Sequence, residues 1–117
     1  MKQFMILIRE ESTDFSKFSP KDFAEFMQQY EAWSRKMAES GQNAGGAKLN
    51  RDLGRTLRKK GSQIVVDGPY AEAKDAVGGF YIINANDMEE AIEIAKGCPS
   101  LSHGGAVEVR LVDVYRK

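Results

Sequence analysis

The sequence predicts an α+β fold, a ferredoxin-like β-α-β-β-α-β order with an inserted hairpin, and three observations lead there. The chain opens on a run that is apolar on both alternating faces, Phe4 to Ile8. Two amphipathic stretches with helix-start signals follow, from Ser19 and from Asn86. Short strand-like runs fill the middle and close the chain. The 117 residues suit one domain, 1–117, with a single core.

Each element has its own warrant. Phe4-Met5-Ile6-Leu7-Ile8 has the pattern of a central strand covered on both sides. Ser19-Pro20 opens the first helix: Ser19 is the N-cap, Pro20 takes the first helical position and Asp22 the favourable first turn. Phe23, Phe26, Met27, Tyr30, Trp33 and Met37 follow at spacings of three and four, an apolar stripe that reads as core and stops near Ser40-Gly41. The middle reads as short strands, Ala47 to Leu49, Arg55 to Arg58 and Gln63 to Val66, with Lys60-Gly61 suited to a tight hairpin. Gly79 to Ile83 is a strand. Asn86-Asp87 starts the second helix, with Asp87 and Glu90 at capping-box spacing and Met88, Ala91, Ile92 and Ala95 as its buried face. Gly97 and Pro99 end it. The last strand, Ala106 to Val114, alternates Val107, Val109 and Leu111 against Glu108 and Arg110, which share a face and are expected to pair with a neighbouring strand or a dimer mate.

In this order the hairpin precedes the second main strand, Gln63 to Val66. Right-handed crossovers put both helices on one face of the sheet. The other face keeps apolar residues from several strands and no helix, so two copies are expected to pack sheet to sheet as a homodimer. Seventeen Lys and Arg balance seventeen Asp and Glu, so no whole-chain field recruits nucleic acid or an anionic membrane. The start Met1-Lys2-Gln3 runs into an apolar stretch shorter than a signal core or membrane span, and one cysteine excludes an internal disulfide. The expected compartment is cytoplasmic.

Several ordered motifs then stand out: Asp67-Gly68-Pro69-Tyr70-Ala71-Glu72-Ala73-Lys74, Gly78-Gly79-Phe80-Tyr81, Cys98-Pro99, His103-Gly104-Gly105 and Val107-Glu108-Val109-Arg110. With Gly45-Gly46-Ala47-Lys48-Leu49 they cover almost the whole chain, and together they resemble the DGPF-type branch of the YCII-related proteins. The resemblance implies a dimeric α+β barrel, a frequent bacterial origin and a poorly defined function, with activity suggested for relatives from a His-Asp pair. It also implies a transcription-accessory alternative, since some members resemble accessory proteins of sigma factors. Two departures are visible: Tyr70 stands where the motif has Phe, and Leu111-Val112 where members often have Pro-Val.

Topology points to the same residues. Arg9 follows the first strand, Asp67 ends the expected second, Gly78-Gly79 begins the third and His103 precedes the fourth, so all four gather at one rim. Asp67 and His103 then sit on opposite outer strands, about 14 Å apart at three inter-strand spacings, unless loops bend inward. The expected site is a rim pocket for a small anionic ligand. There His103 serves as general acid or base, oriented by Asp67, and Arg9, Tyr70, Glu72, Lys74 and Tyr81 contact the substrate. The competing reading makes Asp67 a turn residue before Gly-Pro and His103 a strand-entry residue. Cys98 is set aside as a nucleophile because a thiol at a helix C-terminus meets the negative end of the dipole. No metal spacing, Walker motif or dinucleotide fingerprint occurs, so no metal or cofactor is expected. Arg51, Arg55, Arg58, Lys59 and Lys60 form the basic cluster, read first as a solvated hairpin and second as a surface for an anionic partner. The function classes left are a small cofactor-independent enzyme or ligand-binding protein, and a protein-interaction module.

Overall fold

The computed structural model describes residues 1–10, 19–49, 54–68 and 76–113. In chain order it holds β1 (Lys2–Glu10), α1 (Pro20–Glu39), β2 (Asn43–Lys48), β3 (Thr56–Lys60), β4 (Gln63–Asp67), β5 (Ala76–Ala85), α2 (Met88–Ala95), a 3-10 turn (Pro99–His103) and β6 (Ala106–Leu111). Four strands form an antiparallel sheet in the order β2-β5-β1-β6, and β3 and β4 pair separately as a two-stranded ribbon. This is a mixed α+β architecture with an antiparallel sheet and two helices, in keeping with a ferredoxin-like fold. No helix among the described residues is long and apolar enough to cross a membrane.

The central pair follows from alternation. Phe4, Ile6 and Ile8 on β1 face Ile83, Tyr81 and Gly79 on β5, while Met5 and Leu7 face Ile82 and Phe80 on the opposite side. The first set is buried beneath the helices with Trp33 and Met37 of α1 and Ala91 and Ala95 of α2, so both helices lie on one face. Full burial of a side chain such as Phe4 or Ile6 stabilises by about 1.5–3 kcal/mol. Met5, Leu7, Phe80 and Ile82 lie on the helix-free face, half-buried.

Capping sets where α1 begins. Ser19 Oγ accepts from the Asp22 amide at 3.1 Å, and the Asp22 carboxylate accepts from the Ser19 amide at 3.4 Å. On α2 the Asp87 carboxylate accepts from the Glu90 amide at 2.8 Å, but the Glu90 carboxylate turns to Asn86 Nδ2 rather than closing the box. Trp33 ties the helices together by donating to the Ile94 carbonyl at 3.2 Å. Gly97 passes so close to the Trp33 ring that a Cβ there would lie 2.8 Å from it.

Three expectations change. The second main strand is Asn43–Lys48, not Gln63 to Val66, so the hairpin is inserted after it rather than before it. The reason is Gly46, whose φ of 157 and missing side chain let β2 approach β5; a Cβ would meet the Phe80 carbonyl oxygen at 2.5 Å. Second, the α1 stripe is core only in part: Phe26, Trp33 and Met37 are buried, but Met27 is 38% exposed because α1 leaves β2 uncovered. Third, Met88 and Ile92 are exposed flanks of α2, since its close approach to the sheet is made through Ala91 and Ala95. The Lys60-Gly61 turn forms as read: Gly61, at φ 63, takes the first central position between Lys60 and Gln63, where a type II′ turn requires positive φ.

Candidate functional site

A pocket of about 470 Å³ opens between α1 and the uncovered β2. Among the described residues, α1 supplies Phe26, Met27 and Tyr30 as one wall, and β2 supplies Asn43 and Gly45 to Lys48 as the other. Ile8, Gly78, Gly79 and Tyr81 complete the floor. The sequence builds this locally. Gly45 on β2 carries no side chain where a Cβ would have open space around it, Gly46 and Gly79 let β2 and β5 approach closely, and the aromatic stripe of α1 passes above them. The lining takes in the ends of β1 and β2 at Ile8 and Lys48 and the start of β5 at Gly78 and Gly79, part of the rim that topology singles out.

Polar groups are few and specific, as in most small-molecule sites. Lys48 is the one charged side chain among the described lining residues, and its Nζ stands 5.8 Å from the centroid of the Phe23 ring, so it reaches from β2 toward α1. The Tyr81 hydroxyl is 2.7 Å from Ser34 Oγ on α1 and its ring packs edge-on against Trp33 at 4.9 Å, so Tyr81 is held as a rigid floor. Tyr30 bonds through its hydroxyl to Cys98, at 3.4 Å, and to Ser100, which pins the 3-10 turn to α1.

That pinning positions His103. The imidazole ends the 3-10 turn and meets the Phe26 ring edge-on, with centroids 4.7 Å apart, while Phe26 also packs edge-on against Tyr30 at 5.1 Å. His103 thus stands one aromatic ring away from the pocket interior, with its side chain exposed. Gly104 follows at φ 82, the left-handed cap that turns the chain into β6.

The other predicted site residues are distributed differently. Asp67 ends β4 in the separate ribbon, with its carboxylate 3.6 Å from Arg58 Nε. Arg9 alternates with Ile8 onto the helix-free face, where its guanidinium lies 3.7 Å from Glu108. Glu108 and Arg110 share that face, with 3.9 Å between Oε2 and Nε. Tyr81 lines the pocket, although from the middle of β5 rather than from its start. Tyr70, Glu72 and Lys74 lie outside the described residues, as does Arg51 of the basic cluster. Cys98 is buried in the core. Among the described residues no three His, Cys, Asp or Glu side chains converge on a common point for a metal.

Sequence reasoning missed Phe26, Met27, Tyr30 and Lys48 as site residues. The usable signal was the pairing of an aromatic helix stripe with a strand of glycine and alanine, which has nothing large enough to fill the gap beneath it.

The YCII-related domain model matches residues 2–115. An uncharacterized protein of Rhizobium meliloti is 30% identical over 116 residues, which are 97% of this chain and 94% of the relative. Among solved structures, the 5-chloro-2-hydroxyhydroquinone dehydrochlorinase of Burkholderia phenoliruptrix, in complex with 2,5-dihydroxybenzoquinone, is similar at a TM-score of 0.48 and 17% identity. That similarity covers 97% of this chain and 93% of the other.

Proposed function

The chain belongs to the YCII-related family, and from that premise we propose that it binds a small organic anion in the pocket between α1 and β2 and acts on it without a cofactor. The observation that carries this reading is the pocket itself: an apolar, aromatic-walled cleft of about 470 Å³ with one lysine among its described lining residues. In this reading Lys48 holds the anionic group, and Phe26, Tyr30 and Tyr81 pack against the apolar body.

His103 serves at the rim as general acid or base, the role for which imidazole has the right proton affinity near neutral pH. Its support is the contact with Phe26, a pocket-lining ring. Asp67 is its orienting carboxylate in this proposal, supported by the family resemblance of its motif. Tyr70, Glu72 and Lys74 are proposed to contact the substrate, as the resemblance of their motif to the DGPF-type branch implies. Arg9 is proposed to act from the opposite face, steering anions to the rim rather than holding them.

We further propose that the working unit is a homodimer formed by the helix-free face. Met5, Leu7, Phe80 and Ile82 make an apolar patch there, bordered by Arg9, Glu108 and Arg110.

The test is a thermal-shift screen of small carboxylates and phenols against the wild-type chain, Lys48→Met and His103→Ala. Anions should raise the melting temperature of the wild type and of His103→Ala, and lose most of that effect in Lys48→Met. Any hit that is turned over should remain bound but unconverted by His103→Ala and Asp67→Asn. Stabilisation that is equal in wild type and Lys48→Met would refute the anion assignment, and turnover that survives both other substitutions would refute the acid–base roles.

A further inference from the structure

We infer that Asn43 is the specificity-determining residue of the cleft: its side-chain amide donates to an uncharged carbonyl oxygen at the end of the ligand opposite the anionic group held by Lys48. The inference rests on the ligand-binding reading proposed above and narrows it to keto acids with an apolar body between the two ends.

Register puts both polar residues on one face. Asn43 lies opposite Ile83, Gly46 opposite Tyr81 and Lys48 opposite Gly79, so all three share the helix side of the sheet with the buried Ile83. Asn43 and Lys48 both line the cleft. Gly46, between them, has no side chain to divide the space. Ile83 and Gly79 are four residues apart on β5, which separates the backbones of Asn43 and Lys48 by about 13 Å at roughly 3.3 Å per residue. That span, less the reach of two side chains, suits one ring with a polar group at each end.

Local geometry decides which part of the Asn43 amide is on offer. The register shifts between Asn43 and Gly45, leaving Ala44 as the extra residue of a bulge, and the Gly45 amide donates to Asn43 Oδ1 at 2.9 Å. A backbone N–H needs an acceptor, so this bond assigns Oδ1 and leaves Nδ2 as the outward group. Its two N–H donors bond to nothing among the described residues. Asn43 is half-buried at the wall of an apolar cleft. A ligand oxygen arriving there gives the donor a partner, whereas an alkyl group strips its water and gives nothing back. Lys48 is the one charged side chain among the described lining residues, so the Asn43 end has no second cation and suits an uncharged acceptor.

The test is an NMR titration of the isotope-labelled chain with two probes of similar shape, para-acetylbenzoate and para-isopropylbenzoate, which differ in the carbonyl oxygen. Asn43→Asp is the informative variant, because its carboxylate still accepts from the Gly45 amide and keeps the bulge but has no N–H to give. In the wild type, para-acetylbenzoate should move the Asn43 side-chain amide resonances and para-isopropylbenzoate should leave them in place. In Asn43→Asp the ratio of the two dissociation constants should shift against para-acetylbenzoate by about tenfold, since a hydrogen bond is lost and two oxygens are set against each other. Lys48→Met should weaken both probes alike. A ratio that Asn43→Asp does not change, or Asn43 resonances that respond equally to both probes, overturns the role of Asn43 and leaves the anion site at Lys48 standing. The wild-type resonances decide the matter even where the variant does not fold. Probes that leave the cleft amides unmoved overturn the ligand-binding reading and this inference with it.

Discussion

At Gly46 a single missing side chain decides how the sheet closes. Its Cβ position is occupied at 2.5 Å by the Phe80 carbonyl oxygen, and its backbone is at φ 157, so both space and conformation favour glycine. Gly46→Ala should push β2 away from β5 and destabilise the fold by about 1–3 kcal/mol, read as a lower urea midpoint at unchanged slope. An unchanged midpoint would contradict the close pairing. Ser19 makes a gentler prediction. Ser19→Ala removes the oxygen that caps the Asp22 amide, and the loss should be about 1 kcal/mol by thermal or urea denaturation. Tyr30 links stability to the site, because its hydroxyl holds Cys98 and Ser100 and thereby the turn that carries His103. Tyr30→Phe removes the hydroxyl bond to Ser100, should cost about 0.5–1.5 kcal/mol as for one lost hydrogen bond, and should move the His103 ring resonances in NMR spectra. Unmoved resonances would mean that the turn is held by other contacts.

At the scale of elements, legibility tracks how loudly a residue pattern speaks. β1 was readable because Phe4 to Ile8 is apolar on both faces, and α1 because Ser19-Pro20 and Asp22 announce a capped start. β2 is legible only at its end, as Ala47 to Leu49, because its run from Asn43 to Lys48 contains no β-branched or aromatic residue and is held by backbone pairing to β5. The apolar run Ile64-Val65-Val66 predicts a main-sheet strand, but among the described residues it pairs only within the β3–β4 ribbon. That misplacement carries Asp67 with it. Half of the site suffered in the same way: Tyr81 and His103 were legible from topology and motif, whereas Phe26 and Tyr30 were absorbed into a core stripe whose first half has no sheet surface above β2 to press against. The ion pair of Arg58 and Asp67 belongs to this scale too. The Arg58 side chain is 61% exposed, so Arg58→Ala should change stability by less than about 1 kcal/mol in denaturant titration. A larger loss would mean that the ribbon's fold depends on the pair.

At the scale of the molecule, the flattened shape, 48 × 48 × 18 Å, leaves two kinds of surface to account for. One is concave and aromatic, the cleft over β2; the others are apolar and open, the helix-free sheet face and the ribbon. The first is the proposed ligand site and the helix-free sheet face the proposed dimer contact, and neither competes with the other for residues.

The central claim concerns the cleft, and a protein-observed NMR fragment screen on the isotope-labelled chain tests it most directly. Anionic aromatic fragments should shift the amides of Phe26, Tyr30, Lys48, Gly78, Gly79 and Tyr81 together with the His103 ring, and Lys48→Met should weaken those shifts. Fragments that bind elsewhere on the molecule, or that leave this group unmoved at millimolar concentration, would contradict the account.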